Sequence, residues 1–295
     1  MRIKISSSVK QFEKKALKAW GLKNWDGIDD PDNEILFFGL FHDRDFEVFH
    51  NFKGKKSVFW CGGDILRLKE DYERQRVMRI APETTHYCEN SVQEESLKSV
   101  GIEPIVIPSF LGDIKDYPVS FKVPKDKWKI WMCGHPRRES EYGFDQAREL
   151  AGMFSDIEFH FYGVSKDESA NIDSKNLPNV IYHGLVSEKQ LDREIKEYHA
   201  AIRANEHDGA SEVVFKALLL GQYVFSMIYY PGVEYFETTE VLRNSVSMLQ
   251  YKTEANLQGR KWVLENVNRY PWVQKHAFSK RIHSVEQENT GKKRL

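Results

Sequence analysis

Short apolar runs, each followed by an amphipathic stretch, recur along the chain, and this alternation restricts the fold more than any other feature. The runs in the first half are Arg2–Ser6, Ile35–Phe41, Ser57–Trp60, His86–Glu89 and Ile105–Ile107. Those in the second half are Lys129–Cys133, Ile157–Tyr162, Val180–His183, Ala200–Ala204, Tyr223–Met227 and Val246–Leu249. Between them lie helical patterns such as Val9–Trp20, Gln93–Val100, Phe144–Phe154, Glu188–Tyr198 and Ser211–Leu220. Short strands separated by helices predict α/β architecture with parallel sheets and right-handed crossovers. At 295 residues, 41% of them hydrophobic, two sheets suit the chain better than one very wide sheet. The boundary is expected in Asp113–Lys127, where Pro118, Pro124 and several charges interrupt the apolar pattern. Glu254–Arg269 reads as helical, Tyr270-Pro271-Trp272 follows, and a last helix runs to about Val285.

Composition removes several function classes. A net charge of −1 gives no field to attract nucleic acid. No apolar run approaches the roughly 18 residues of a membrane span. The opening Met1-Arg2-Ile3-Lys4-Ile5 is a strand pattern, not a signal peptide. Cys61, Cys88 and Cys133 are odd in number, widely spaced and set in or beside apolar runs, so free thiols in a reducing, cytoplasmic compartment are expected. No Cys/His spacing suits zinc. Asp43-Arg44-Asp45 and Asp30-Pro31-Asp32 are chance-level matches to a metal-binding Asp-x-Asp; Asp43 is read as loop and no metal is expected.

The most informative single stretch is Arg203–Val224. It reads as a strand end, a polar turn His207-Asp208-Gly209, a helix, and a second short strand. A helix N-terminus leaves backbone N–H groups unpaired and carries partial positive charge, which suits phosphate. Gly209, lacking a Cβ, would let an anion approach the backbone. Open α/β sheets bind ligands at such strand ends. Along the helix, Asp208, Glu212 and Lys216 recur at spacings of four, and Glu212 followed by Lys216 is the favourable order for an ion pair of about 0.2–0.5 kcal/mol. Three readings of Lys216 stand side by side: it pairs with Glu212, it faces phosphate while Glu212 takes another contact, or the site around it is degenerate.

This stretch resembles the C-terminal half of retaining GT-B glycosyltransferases of the group-1, family-4-like type. Their pattern is an acidic residue, seven residues, Glu-Ala at the head of a helix, then Gly and a strand. Here it becomes Asp208, seven residues, Lys216-Ala217, Gly221 and Tyr223-Val224-Phe225-Ser226. A subgroup with His-Asp-Gly in the turn and an upstream arginine is most similar, matching Arg203 and His207-Asp208-Gly209. The departure is Lys216, where the family has the Glu that holds the ribose hydroxyls of the donor. The strand end Trp131-Met132-Cys133-Gly134-His135-Pro136-Arg137-Arg138 resembles the family segment whose Arg neutralises the donor diphosphate, and the guanidinium fork of Arg137 or Arg138 fits that need. The Lys-Gly pair that follows in the family is Tyr142-Gly143 here.

The resemblance implies a GT-B fold: two Rossmann-like domains with parallel sheets facing across a cleft. Residues 1–122 would form the acceptor-side domain, completed by a returning helix at 272–288; residues 123–271 would bind the nucleotide sugar, and 289–295 would fray. It implies metal-independent, retaining transfer of a sugar from a nucleotide-diphosphate sugar to a glycan, lipid-linked or protein acceptor, with no cofactor beyond the donor. Catalytic roles would fall to His207, Asp208 and Arg137. Donor contacts would come from Gly134, Arg138, Arg203, Gly209, Ala210, Ser211, Glu212 and Lys216. Catalysis would rest on placing cations and N–H dipoles against the departing diphosphate.

In the first half, Phe59-Trp60-Cys61-Gly62-Gly63-Asp64 resembles a family stretch at the cleft, and Gly63, Asp64 and His86 are the acceptor-side candidates. Asp64 has the competing reading of a helix cap near Ile65. Val9–Trp20 reads as an amphipathic helix covering the first sheet; its Lys10, Lys14 and Lys18 would also suit peripheral contact with an anionic membrane. Two alternatives are a GT-B protein that binds nucleotide or glycan without turnover, and a sugar-nucleotide epimerase. Ser6-Ser7-Ser8 in place of Gly-x-Gly-x-x-Gly argues against a nicotinamide dehydrogenase.

Overall fold

The computed structural model describes residues 1–28, 34–79, 81–166 and 177–273. The chain forms two compact units: Met1–Asp113 with His207–Ala210 and Asn266–Leu295, and Ile114–Glu206 with Ser211–Glu265. The Asp30-Pro31-Asp32 triplet, nearly all of the expected 272–288 helix and the 289–295 tail lie outside the described residues.

In the first unit the strands are β1 (Arg2–Ile5), β2 (Lys23–Asn24), β3 (Glu34–Phe38), β4 (Lys55–Phe59), β5 (Thr84–Cys88) and β6 (Ile105–Val106). Among the described residues they form one six-stranded parallel sheet in the order β2-β1-β3-β4-β5-β6. Alternating side chains divide between two cores, as a period of two requires. Ile35, Phe37, Val58, Trp60 and Cys88 pack on one face beneath α2 (Asp43–Asn51), α3 (Asp71–Met78) and α4 (Ser91–Ser99). Leu36, Phe38, Phe59 and Tyr87 pack on the other against Trp20 of α1 (Glu13–Trp20) and Tyr270. Trp20, Phe59, Tyr87, Tyr270 and Trp272 contact edge-on, tilted or stacked, with centroids 4.7–6.5 Å apart.

The second unit carries β7 (Trp128–Cys133), β8 (Ile157–Tyr162), β9 (Val180–Gly184), β10 (Ala200–Arg203), β11 (Tyr223–Ser226) and β12 (Glu234–Tyr235). They form a second parallel sheet in the order β12-β11-β10-β7-β8-β9. Ile130, Met132, Phe159, Phe161 and Ile202 pack with α5 (Phe144–Met153) and α8 (Thr239–Ser247). α6 (Glu188–Glu194), α7 (Glu212–Leu219) and α9 (Leu257–Asn266) complete the helices among the described residues. The chain runs outward from β7 to β8 and β9, then returns to β10 on the other side of β7. The strand order therefore reverses between β7 and β10, and their carboxyl ends form the topological switch point at which such sheets bind ligands.

Three sequence readings need correction. Val246–Leu249 is not a strand: Leu242, Val246 and Leu249 are buried at helical spacing, in α8 and the 3-10 turn that follows, and Thr238 caps that helix. Asp43-Arg44-Asp45 is not a loop but the first turn of α2; Asp43 pairs with Arg67, and buried Asp45 accepts from Lys4 and Ser6. Val9–Trp20 is broken, with 3-10 geometry over Ser7–Phe12, a non-helical Val9 and α-helix only from Glu13. The reading of Cys61, Cys88 and Cys133 as free thiols matches the structure. No helix among the described residues is long and apolar enough to cross a membrane.

Candidate functional site

The switch point of the second sheet is built from the segment after β7 and the last residue of β10. β7 and β10 pair with Ala200 opposite Ile130 and Ala201 opposite Trp131, so the same register sets Arg203 beside Cys133. Arg203 Nη1 donates to the Cys133 carbonyl at 3.1 Å. Its guanidinium lies over the Tyr142 ring, 4.4 Å from the centroid, and Arg138 lies over the same ring at 5.7 Å. Cation–π contact to one aromatic ring thus gathers two cations that would otherwise repel. Arg138 also pairs with Glu141 through Nε at 2.8 Å. His135 accepts from the Arg137 amide and caps the Pro136–Arg138 turn, leaving the Arg137 side chain exposed.

Glycine lets these strand ends approach. A Cβ on Gly163, at φ +79°, would stand 2.1 Å from the Gly134 carbonyl oxygen. One on Gly134 would meet Phe144 at 2.4 Å. Gly134 therefore serves close packing of backbone and ring around the loop that carries the arginines.

Ser211 stands at the N-cap of α7 in extended conformation, and Glu212 occupies the first turn. Lys216 is buried, its Nζ 2.9 Å from Asp192, 3.3 Å from Glu212 and 3.4 Å from Glu188, above the Tyr117 ring. Burial pulls the amine's pKa down, but Glu212, Tyr117 and Asp192 more than reverse that and hold it protonated. The ammonium is thus turned onto three carboxylates, of which sequence spacing reveals only Glu212.

In the first unit, Gly63 and Asp64 follow the end of β4, and His86 lies within β5 opposite Val58. Asp64 is fully buried, and its carboxylate accepts from Leu40 N–H at 3.1 Å and Cys61 N–H at 2.9 Å. It staples two strand ends and makes no side-chain cap bond to the following turn. Burial raises its pKa to about 6. His86 is buried, stacks on Trp60 and accepts from that indole through Nδ1; burial lowers its pKa to about 4, so it is neutral. Gly62 rather than Gly63 is the constrained glycine: at φ +98°, a Cβ there would stand 2.9 Å from the His207 carbonyl.

His207–Ala210, part of this first unit, rests on the end of β5 and the start of α4. Asn90 Nδ2 donates to the Asp208 carbonyl at 2.9 Å, and the Ala210 amide donates to Glu89 Oε2 at 2.7 Å. A Cβ on Gly209 would meet that Glu89 oxygen at 2.3 Å. Gly209 is thus required by a carboxylate of this same unit. Neither the role of Glu89 nor the arrival of Arg203 on the Tyr142 ring is visible in local spacing; only the Arg138–Tyr142 contact is local.

No protein-family model and no curated protein sequence matches the chain. Solved structures do. Sucrose-phosphate synthase from Thermosynechococcus elongatus superposes with a TM-score of 0.63 at 12% identity, over 96% of this chain and 80% of that one. Anabaena HepE, solved with UDP and glucose, gives 0.59 at 12% identity, over 96% of this chain and 81% of that one. A variant of TarM from S. aureus, solved with fondaparinux, α-GlcNAc-glycerol and UDP, gives 0.57 at 14% identity over 88% of this chain. The chain spans only 56% of that TarM variant's length. With two parallel α/β sheets of this order and these structural neighbours, the chain has the fold of GT-B glycosyltransferases.

Proposed function

We propose that this protein transfers a sugar from a nucleotide-diphosphate sugar, with retention and without a metal, to a hydroxyl of a glycan, lipid-linked or protein acceptor. The observation that carries the reading is the gathering of Arg138 and Arg203 over the Tyr142 ring at the switch point between β7 and β10, with exposed Arg137 on the same loop. Guanidinium groups there would hold the diphosphate and stabilise the charge that develops on it as the sugar departs. His207 and Asp208 would face the donor sugar, whereas Gly134, Gly209 and Ala210 are taken up by packing and by the bond to Glu89. Glu212 would take the ribose contact, since Lys216 is committed to carboxylates. The structural neighbours solved with UDP favour a uridine nucleotide. Asp64 and His86 are buried and would support the first unit's core, leaving acceptor contacts to other residues.

A second reading, binding without turnover, is favoured by the internal neutralisation of Lys216 and by Tyr142 where the family has a lysine. Incubation with UDP-glucose or UDP-N-acetylglucosamine, with EDTA and a panel of glycan and lipid-linked acceptors, separates the two. Acceptor-dependent UDP release with retained anomeric configuration supports transfer. Nucleotide binding with no release under any acceptor supports the second reading.

A further inference from the structure

Beneath the His207–Ala210 turn, a buried acid performs no task in the scheme above. Glu89 follows the last residue of β5 and is 5% exposed. One carboxylate oxygen accepts from Ser109 Oγ, the other from the Ala210 amide at 2.7 Å. Its own amide donates to Gln93 Oε1 at 2.8 Å, and Gln93 N–H returns a bond to Asn90 Oδ1 at 2.9 Å. Asn90 holds the Asp208 carbonyl, so Glu89, Asn90 and Gln93 form one network whose outward bonds end on Asp208 and Ala210, on either side of Gly209. Gly62 and Gly209 leave the space that this contact needs.

We propose that Glu89 is a positioning residue: its carboxylate, oriented by Ser109, grips the Ala210 amide and fixes the backbone that presents His207 and Asp208. The claim that this positioning serves catalysis rests on the sugar-transfer reading; the grip itself does not. An ionised acceptor makes a stronger bond to an amide than a neutral one, so the grip depends on the charge of Glu89. Burial, opposed by the Ser109 and Ala210 hydrogen bonds and reinforced by the charges of Asp208 and Asp64, pushes the Glu89 pKa up to about 7. The other titratable groups facing it are Cys61, Cys88 and Tyr270. Burial raises the pKa of all three, so they are neutral near pH 7; Asp64, with its pKa at about 6, ionises just below Glu89, but its carboxylate holds Leu40 and Cys61 and not the turn. The turn is therefore held tightly above about pH 7 and loosely below it.

Amide hydrogen exchange at Ala210, corrected for intrinsic rate and followed from pH 6 to 8.5 in the full chain, tests this directly. In the unaltered protein, protection should rise about tenfold across the range, with a midpoint near 7. Glu89→Gln keeps the shape and an acceptor but removes the charge, so protection should stay at the low-pH level and lose its pH dependence. Ser109→Ala removes a bond that lowers the Glu89 pKa, so the midpoint should move to higher pH. Unchanged protection and pH dependence in both variants would overturn the proposal, as would a Glu89→Gln variant matching the unaltered protein at pH 8.5. UDP affinity measured on the same samples keeps the two claims apart. If exchange behaves as expected but UDP never binds, the sugar-transfer reading fails and the grip stands. If UDP binds while exchange ignores Glu89, the grip fails alone.

Discussion

Lys216 and Glu89 are both buried ionisable groups, and their surroundings treat them in opposite ways. Lys216 has three carboxylates within 3.4 Å and keeps its charge. Glu89 has only neutral donors and two nearby acids, so its charge is disfavoured. Replacing Lys216 with Met would preserve much of the volume but leave Glu188, Asp192 and Glu212 crowded without a counter-ion. Loss of one partner from a buried ion cluster costs about 3–5 kcal/mol; because the carboxylates are part-exposed, about 2–3 kcal/mol is expected by urea titration at pH 7.5. An unchanged urea midpoint would show that the cluster carries little stability. The sequence displays Lys216 and Glu212 as an i,i+4 pair, because that spacing is local. Glu188 and Asp192 come from another helix, and no pattern along the chain announces them.

At the scale of elements, hydrophobic periodicity locates the long strands and helices well, and the failures share a cause. The apolar stretches of β3, β7 and β8 are recognisable because a strand covered on both faces is mostly apolar, whereas in β4 only Val58 and Phe59 carry that signal after Lys55-Lys56-Ser57. Val246–Leu249 has the same composition, and length alone does not distinguish a short buried strand from the inner face of a helix end. β2 and β12 have two residues each and no apolar signal. The close backbone approach just after β7 and β8 is also hidden from periodicity, since it depends on Gly163 having no Cβ beside the Gly134 carbonyl. Gly163→Ala should destabilise by more than about 2 kcal/mol, because it adds a backbone clash to a positive φ. Gly152→Ala, in α5 with nothing within 4 Å of the added methyl, should instead stabilise by roughly 0.5–1 kcal/mol. Urea midpoints moving in these opposite directions would support the strand-end geometry; equal shifts would contradict it.

For the molecule as a whole, Asp64 and Glu89 make stability depend on pH in an unusual direction. Their folded pKa values, about 6 and about 7, lie above their ordinary values of 3.8 and 4.5. Each therefore contributes stability that is complete at low pH and is lost as pH rises through the folded value. Glu89→Gln should raise stability at pH 8 by about 1–3 kcal/mol while loosening the Ala210 amide, a gain in stability against a loss of order in the turn. A thermal-melt series from pH 5 to 8 checks it; a Glu89→Gln variant less stable than the unaltered protein at pH 8 would reverse the sign. The α/β alternation and the arginines of the β7 and β10 strand ends are legible in the sequence. The switch point that brings them together is not, because strand order is set by pairing between distant segments.

Calorimetric titration of UDP into the unaltered protein, Arg137→Ala and Arg203→Ala, with EDTA present, tests the central claim most directly. Arg137 is exposed, so its removal should leave the melting temperature unchanged. The account predicts binding to the unaltered protein and an affinity at least about tenfold weaker in each variant. No binding to the unaltered protein, or full affinity in both variants, would contradict the assignment of the β7–β10 switch point as the diphosphate site.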